Sequence, residues 1–205
     1  MWVKAYSHLT KDPVLKKILT KDHLFEFKVS KNLYEAIVGN IIGQQLSNKP
    51  AEIIKTRFRN LFSKKTFPSP KEVLNMSDEK LRACGMSWAK VRYIKNLSQA
   101  VTDKTIDIKE LSLLDDEKVI ESLIKIKGIG RWTAEMILIF HLAREDVFSV
   151  GDLGLRTAVA KLYNLDRSDL KKIEKISWNW KPYRSFASRF LWKYLDSLKS
   201  AKTLS

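Results

Sequence analysis

Leu123-Ile124-Lys125-Ile126-Lys127-Gly128-Ile129-Gly130-Arg131-Trp132-Thr133-Ala134-Glu135-Met136-Ile137-Leu138-Ile139-Phe140 is the stretch whose reading decides the fold. Its first residues read as the end of an apolar helix, Lys127 to Arg131 as a tight turn, and Trp132 onward as a second helix. Shortly beyond lies Ser149-Val150-Gly151-Asp152. Two glycines separated by one apolar residue let the backbone reverse sharply and come close to another surface. The second glycine opens a helix, whose first N–H groups lack internal partners and carry partial positive charge. Such a terminus can hold a phosphate. A lone Gly-x-Gly is weak evidence, since most such turns are only helix connections, so the rest of the chain must decide.

The 205 residues can bury a substantial core in one domain or two packed lobes. Apolar residues make up 44% and charged ones 30%, the balance of a globular protein. No apolar run approaches the ~18 residues of a membrane span, and the N-terminus has no hydrophobic signal core. A cytoplasmic protein is therefore expected, or a nuclear one if the source is eukaryotic. The single cysteine, Cys84, excludes an internal disulfide and a four-thiolate cluster, and His8, His23 and His141 form no metal-ligand pattern. Net charge is +15, which favours a polyanionic partner. Residues 1–70 carry 13 basic and 5 acidic side chains, residues 71–151 carry 13 of each, and residues 152–205 carry 12 and 5. The excess thus belongs to the two ends of the chain, which reads either as a basic binding surface or as a uniformly solvated one.

Helical period dominates. Residues 33–46 place Leu33, Ile37, Ile41 and Ile42 on one face, ending in the polar stop Gly43-Gln44-Gln45-Leu46-Ser47-Asn48. Ser47 or Asn48 can cap the next helix, whose stripe is Ile53, Ile54, Phe58, Leu61 and Phe62. Ser69-Pro70-Lys71-Glu72 is a capping box. Ser77 starts a short helix that Gly85 ends, and residues 89–101 turn Val91, Ile94, Leu97 and Val101 inward. Asp115-Asp116-Glu117 suits the start of the helix that runs into the glycine turn. After Asp152 come helices through Leu162, over about 168–176, and over about 182–199. The alternation from Phe25 to Val29 is too short to support a sheet. The expected fold is all-α: a two-lobed helical bundle, with one lobe over about 33–145 containing the hairpin 123–140 and the other from 1–32 plus 146–205.

Four groups of residues carry a resemblance: Gly43-Gln44-Gln45-Leu46-Ser47; Lys127 through Ala134; Val147-Phe148 with Gly151-Asp152; and Trp180-Lys181-Pro182-Tyr183-Arg184-Ser185-Phe186-Ala187. In this order they resemble the helix-hairpin-helix DNA glycosylase superfamily, and in particular 3-methyladenine DNA glycosylase II and its yeast-type relatives, which lack the bacterial enzyme's N-terminal sheet domain. The resemblance spans about residues 33–195. It implies a base-flipping enzyme of base excision repair. A base inside a duplex is out of reach, so the nucleotide must be rotated out at a cost of a few kcal/mol.

The roles that the resemblance implies are as follows. Backbone N–H groups around Gly128, Gly130, Arg131 and Thr133 would bind DNA phosphate, which positions without reading sequence. The carbonyls of Ile124, Ile126 and Ile129 would hold a Na+ or K+ ion; no other cofactor is required. Asp152 would be the catalytic carboxylate, stabilising the positive charge that develops on the sugar as the glycosidic bond breaks; the plainer reading is that it caps the helix starting at Leu153. Trp132, Trp192 and Met136 would line the base pocket, where electron-rich rings attract a cationic alkylated base. Gln45 aligns with the wedge that fills the vacated space, with Leu46 as the fallback, since the bacterial enzyme has leucine at the Gln45 position. The plainer alternative for Gln44 and Ser47 is that they only cap the helix junction. Trp180 and Tyr183 read as core, and Asp146 as a surface residue.

Trp132 is the most discriminating position. Endonuclease III and 8-oxoguanine DNA glycosylase resemble this hairpin but have lysine there, whose amine attacks the sugar. Tryptophan offers no such nucleophile. The expectation is a monomeric, monofunctional glycosylase acting on alkylated purines in double-stranded DNA, with no membrane partner. Two alternatives stand beside it: a non-catalytic module that binds damaged DNA, and a glycosylase/lyase using another lysine.

Overall fold

The computed structural model describes residues 2–20, 27–62 and 66–203. His23, Phe25 and Glu26 lie outside these residues, and with them the first two residues of the short alternating stretch. All regular structure among the described residues is helical. The helices are α1 (Trp2–Leu9), α2 (Leu33–Gly43), α3 (Asn48–Asn60), α4 (Pro70–Asn75), α5 (Asp78–Ala83), α6 (Trp88–Thr102), α7 (Asp116–Ile124), α8 (Arg131–Phe140), α9 (Leu153–Tyr163), α10 (Leu170–Trp178) and α11 (Arg184–Thr203). The chain divides into two compact units, residues 29–142 and residues 1–28 with 143–205.

In the first unit most helices start on side-chain caps. Asn32, Ser77, Ser87 and Asp115 each accept a backbone N–H three residues on, and Ser69 with Glu72 forms the full capping box. Each such cap contributes about 1 kcal/mol. Ile37, Ile41, Val73, Leu81, Val91, Ile94, Leu97, Val119 and Leu123 are fully buried. Burial of each such side chain is worth about 1.5–3 kcal/mol. Two expectations shift. The first apolar helix stops at Gly43 rather than at residue 46, because Gln44 leaves it at a ψ of 130° and Gln45 follows at a left-handed φ of 59°. Ile53, placed in the inner stripe of α3, is 52% exposed; Ala51, Ile54 and Phe58 form the buried face instead.

The second unit is built on α9 and α11, with α1 and α10 packed around them through Ala5, Leu9 and Ile173, and with Trp180, just past α10, fully buried in the same core. Phe27 stacks on Phe186 with ring centroids 4.0 Å apart. Asp12 ties the N-terminal segment to this core: its carboxylate accepts the Tyr163 hydroxyl at 2.5 Å, the Trp180 indole N–H at 3.0 Å, and the backbone N–H groups of Val14 and Leu15. Asp146 is no loose surface residue. The Arg184 guanidinium grips both its carboxylate oxygens, at 2.7 and 3.0 Å, and its carbonyl at 2.8 Å. That fork fixes the start of α11 against the chain leading to Asp152. Trp88 and Trp178 are half exposed.

Candidate functional site

The hairpin between α7 and α8 turns on Gly128, whose φ is +108°. A side chain is excluded there twice over, by the backbone angle and by Tyr93, whose ring carbon Cγ would lie 2.1 Å from an added Cβ. The Ile129 N–H closes the turn on the Ile126 carbonyl at 3.0 Å, and the Asn96 amide donates to the Lys127 carbonyl at 3.1 Å. Gly130 caps α8, and the first helical bond runs from the Ala134 N–H to the Gly130 carbonyl. The N–H groups of Arg131 and Thr133 precede that bond and so have no partner within the helix. N–H groups so placed at a helix N-terminus are able to donate to an anion. The side chains are otherwise engaged: Arg131 pairs with Glu117 at 2.7 Å and Glu135 at 3.1 Å, and Thr133 is 4% exposed with its hydroxyl accepting the Gln44 amide. Of the three carbonyls named for a monovalent cation, that of Ile126 already accepts one hydrogen bond, leaving its second lone pair. A set of neutral oxygens fits Na+ or K+ rather than a transition metal. No cluster of three or more His, Cys, Asp or Glu residues placed to hold a metal occurs among the described residues.

Gln45 and Leu46 occupy the turn from α2 to α3. Both are exposed, and Gln45 is held in the strained left-handed region. Gln44, read from the sequence as part of the family's motif or as a cap of the helix junction, makes a longer-range contact. Its amide donates to the Gly128 carbonyl and to Thr133 Oγ1, each at 3.2 Å, and so ties the turn between α2 and α3 to the hairpin. The Gln44-Gln45 doublet was the available signal, but a side chain reaching 84 residues away leaves no mark of spacing.

Helix α8 is buried from Thr133 to Ile139 and exposed at both ends, Trp132 by 41% and Phe140 by 40%. Both rings line a groove of ≈ 760 Å³ in the first unit, together with Asn40, Gln44, Leu46 and His141. Met136 falls between the two rings on the same helix face but is 5% exposed and is not among the groove's lining residues. Asn40 donates to the Ala36 carbonyl at 3.0 Å and meets His141 Nε2 at 2.8 Å, while His141 Nδ1 meets the Ser30 hydroxyl at 2.9 Å.

Asp152 belongs to the second unit. It does cap α9, its Oδ1 accepting the Leu155 N–H at 2.7 Å. The same oxygen accepts the indole N–H of Trp192 at 2.9 Å. The carboxylate is thereby fixed by two donors and only 9% exposed. Trp192, expected as a pocket wall, has its polar edge on the carboxylate. Gly154 lets this pair form: a Cβ there would lie 3.0 Å from Asp152 Oδ1 and 3.3 Å from the Trp192 ring. A glycine inside an amphipathic helix gave no sequence signal of that role.

The model of the HhH-GPD superfamily base excision DNA repair protein matches residues 38–183, from α2 to the start of α11. The chain belongs to this superfamily. DNA-3-methyladenine glycosylase 1 of Schizosaccharomyces pombe is 39% identical over 165 residues, 80% of this chain and 72% of that protein. The DNA-3-methyladenine glycosylase of Saccharomyces cerevisiae is 32% identical over 228 residues, 90% of this chain and 76% of that protein. Among solved structures, S. pombe 3-methyladenine DNA glycosylase in complex with abasic DNA is similar at a TM-score of 0.83 and 35% identity, covering 93% of this chain and 95% of that one. The HhH-GPD match takes in the turn between α2 and α3, the hairpin, both groove aromatics and Asp152, and stops short of Trp192. No helix among the described residues is long and apolar enough to cross a membrane.

Proposed function

We propose that this HhH-GPD chain is a monofunctional DNA glycosylase that flips alkylated purines, 3-methyladenine above all, out of double-stranded DNA and releases them by hydrolysis, leaving an abasic site. It works as a monomer on cellular DNA, in the cytoplasm or in the nucleus of a eukaryote. The observation that carries the reading is Trp132, an exposed indole on the groove at the position where the lyases of the superfamily have lysine. It offers a π face to a cationic base and no amine to the sugar.

The Arg131 and Thr133 N–H groups bind phosphate at the positive end of α8. A Na+ or K+ ion at the Ile124, Ile126 and Ile129 carbonyls would add positive charge beside that phosphate. Gln45, with Leu46 beside it, enters the stack. Asp152, immobilised by Leu155 N–H and Trp192, presents its charge to the oxocarbenium-like sugar and orients the attacking water. Alkylation has already made the base a good leaving group, so no strong acid is required.

The test is base release from methylated duplex DNA by wild type and Asp152→Asn. Wild type should free methylated purines without nicking the strand, and the variant should be slower by at least about 100-fold, the scale on which preorganised charge acts. An equal rate would remove Asp152 from the mechanism. Binding of abasic DNA with no base release would favour the non-catalytic module, and a borohydride-trapped adduct would favour the lyase.

A further inference from the structure

The groove that carries Trp132 and Phe140 also carries one amide whose orientation is fixed by its neighbours. The Asn40 NH2 group points at the Ala36 carbonyl, which can only accept, so Oδ1 must face the other way. Its second N–H points at His141 Nε2, which must therefore also accept. A histidine accepting at Nε2 is the neutral tautomer with its proton on Nδ1, where the Ser30 hydroxyl receives it. Both amide hydrogens are thus spent on the protein. Oδ1 is left as an immobile acceptor on a groove that Trp132, Gln44 and Phe140 also line. Asn40 lies in the last turn of α2, four residues before Gln44, which follows the helix.

We propose that Asn40 determines base specificity, its Oδ1 accepting a hydrogen bond from the exocyclic amino group of an alkylated adenine. A 6-keto purine, guanine or hypoxanthine type, would set its own oxygen against Oδ1. Two acceptors face to face leave both unsatisfied, and the rigid Ser30–His141–Asn40 chain prevents the amide from turning over to help. The groove therefore reads the 6-position by polarity while the aromatic rings read charge. This inference rests on the proposal that the groove takes the flipped base.

The experiment measures 3-methyladenine and 7-methylguanine released in one reaction from the same methylated duplex DNA. The ratio of the two is independent of how much enzyme is folded. Wild type should favour 3-methyladenine, and Asn40→Leu should lower the ratio about tenfold, the value of one hydrogen bond in a buried site. Asn40→Ser is the safer second variant, because a serine hydroxyl can still bond the Ala36 carbonyl while falling short of the groove. It should lower the ratio likewise. A ratio unchanged in both variants, with base still released, overturns the role of Asn40 and leaves the glycosylase reading standing. No base released by wild type overturns that reading itself.

Discussion

Trp192 and Asp152 are joined by an indole N–H to carboxylate hydrogen bond of 2.9 Å, on the same oxygen that accepts the Leu155 N–H at 2.7 Å. One donor comes from the start of α9 and the other from α11, 40 residues away, so the carboxylate is aimed by two helices at once. Trp192→Phe keeps the ring and deletes the donor. Base release should slow by about five- to tenfold, the kinetic equivalent of one charge-assisted hydrogen bond partly replaced by water, with KM little changed. A pocket wall without this role would instead raise KM and spare kcat, and steady-state kinetics on a defined lesion separates the two.

Gly154→Ala sets two effects against each other. Alanine in place of glycine inside a helix gains up to about 1 kcal/mol. The new Cβ, 3.0 Å from Asp152 Oδ1, pushes on the carboxylate and its tryptophan. Thermal stability should change by less than about 1 kcal/mol while base release drops severalfold. Loss of stability without loss of rate would show that the carboxylate can give way freely.

Gly128→Ala should be far more damaging. A φ of +108° is costly for any L side chain, and the added Cβ would overlap the Tyr93 ring. The expected loss is at least about 3 kcal/mol, read as a fall in the midpoint of denaturant unfolding. Tyr93→Ala should not restore it, because Tyr93 Cβ itself lies 2.6 Å from the new atom.

Asp12 gives the second unit an acid-sensitive tie. Burial alone would push its carboxyl up, but the Tyr163 hydroxyl, the Leu15 and Val14 N–H groups and the Trp180 indole outweigh that, and it lies below the ordinary value of 3.8. A group lowered on folding stabilises at pH above its unfolded value and loses that contribution as pH falls through the folded one. Wild type should therefore exceed Asp12→Ala in stability near pH 7, and the difference should shrink below about pH 3.8. Chemical denaturation at the two pH values checks it; solvent access to Asp12 keeps the difference modest.

The legible parts of the sequence were those with local grammar. Caps at Ser69, Ser77 and Asp115, the glycine turn, and the stripe Val91, Ile94, Leu97 all rest on contacts within a few residues, and each lies where its pattern put it. The family was legible because its four groups are short and ordered. What stayed hidden depends on contacts across the chain: Gln44 on the hairpin, Trp192 on Asp152, Asn40 on His141, Arg184 on Asp146. None of these has a periodicity, and three of the four involve a residue whose plainer reading was a cap, a wall or a surface group. The end of α2 was misjudged for the same reason, since the strained Gln45 is held by a turn whose partner is the distant hairpin.

The Gln44 amide, with its two bonds to the hairpin, has a mechanical consequence. The turn that carries Gln45 and the turn that opens α8 are braced together, so the span between them is set within the first unit. On the proposed function, a search along DNA would need no adjustment of that span at each step. The duplex would have to deform to meet it, and softened, badly stacked base pairs would be the ones to yield first.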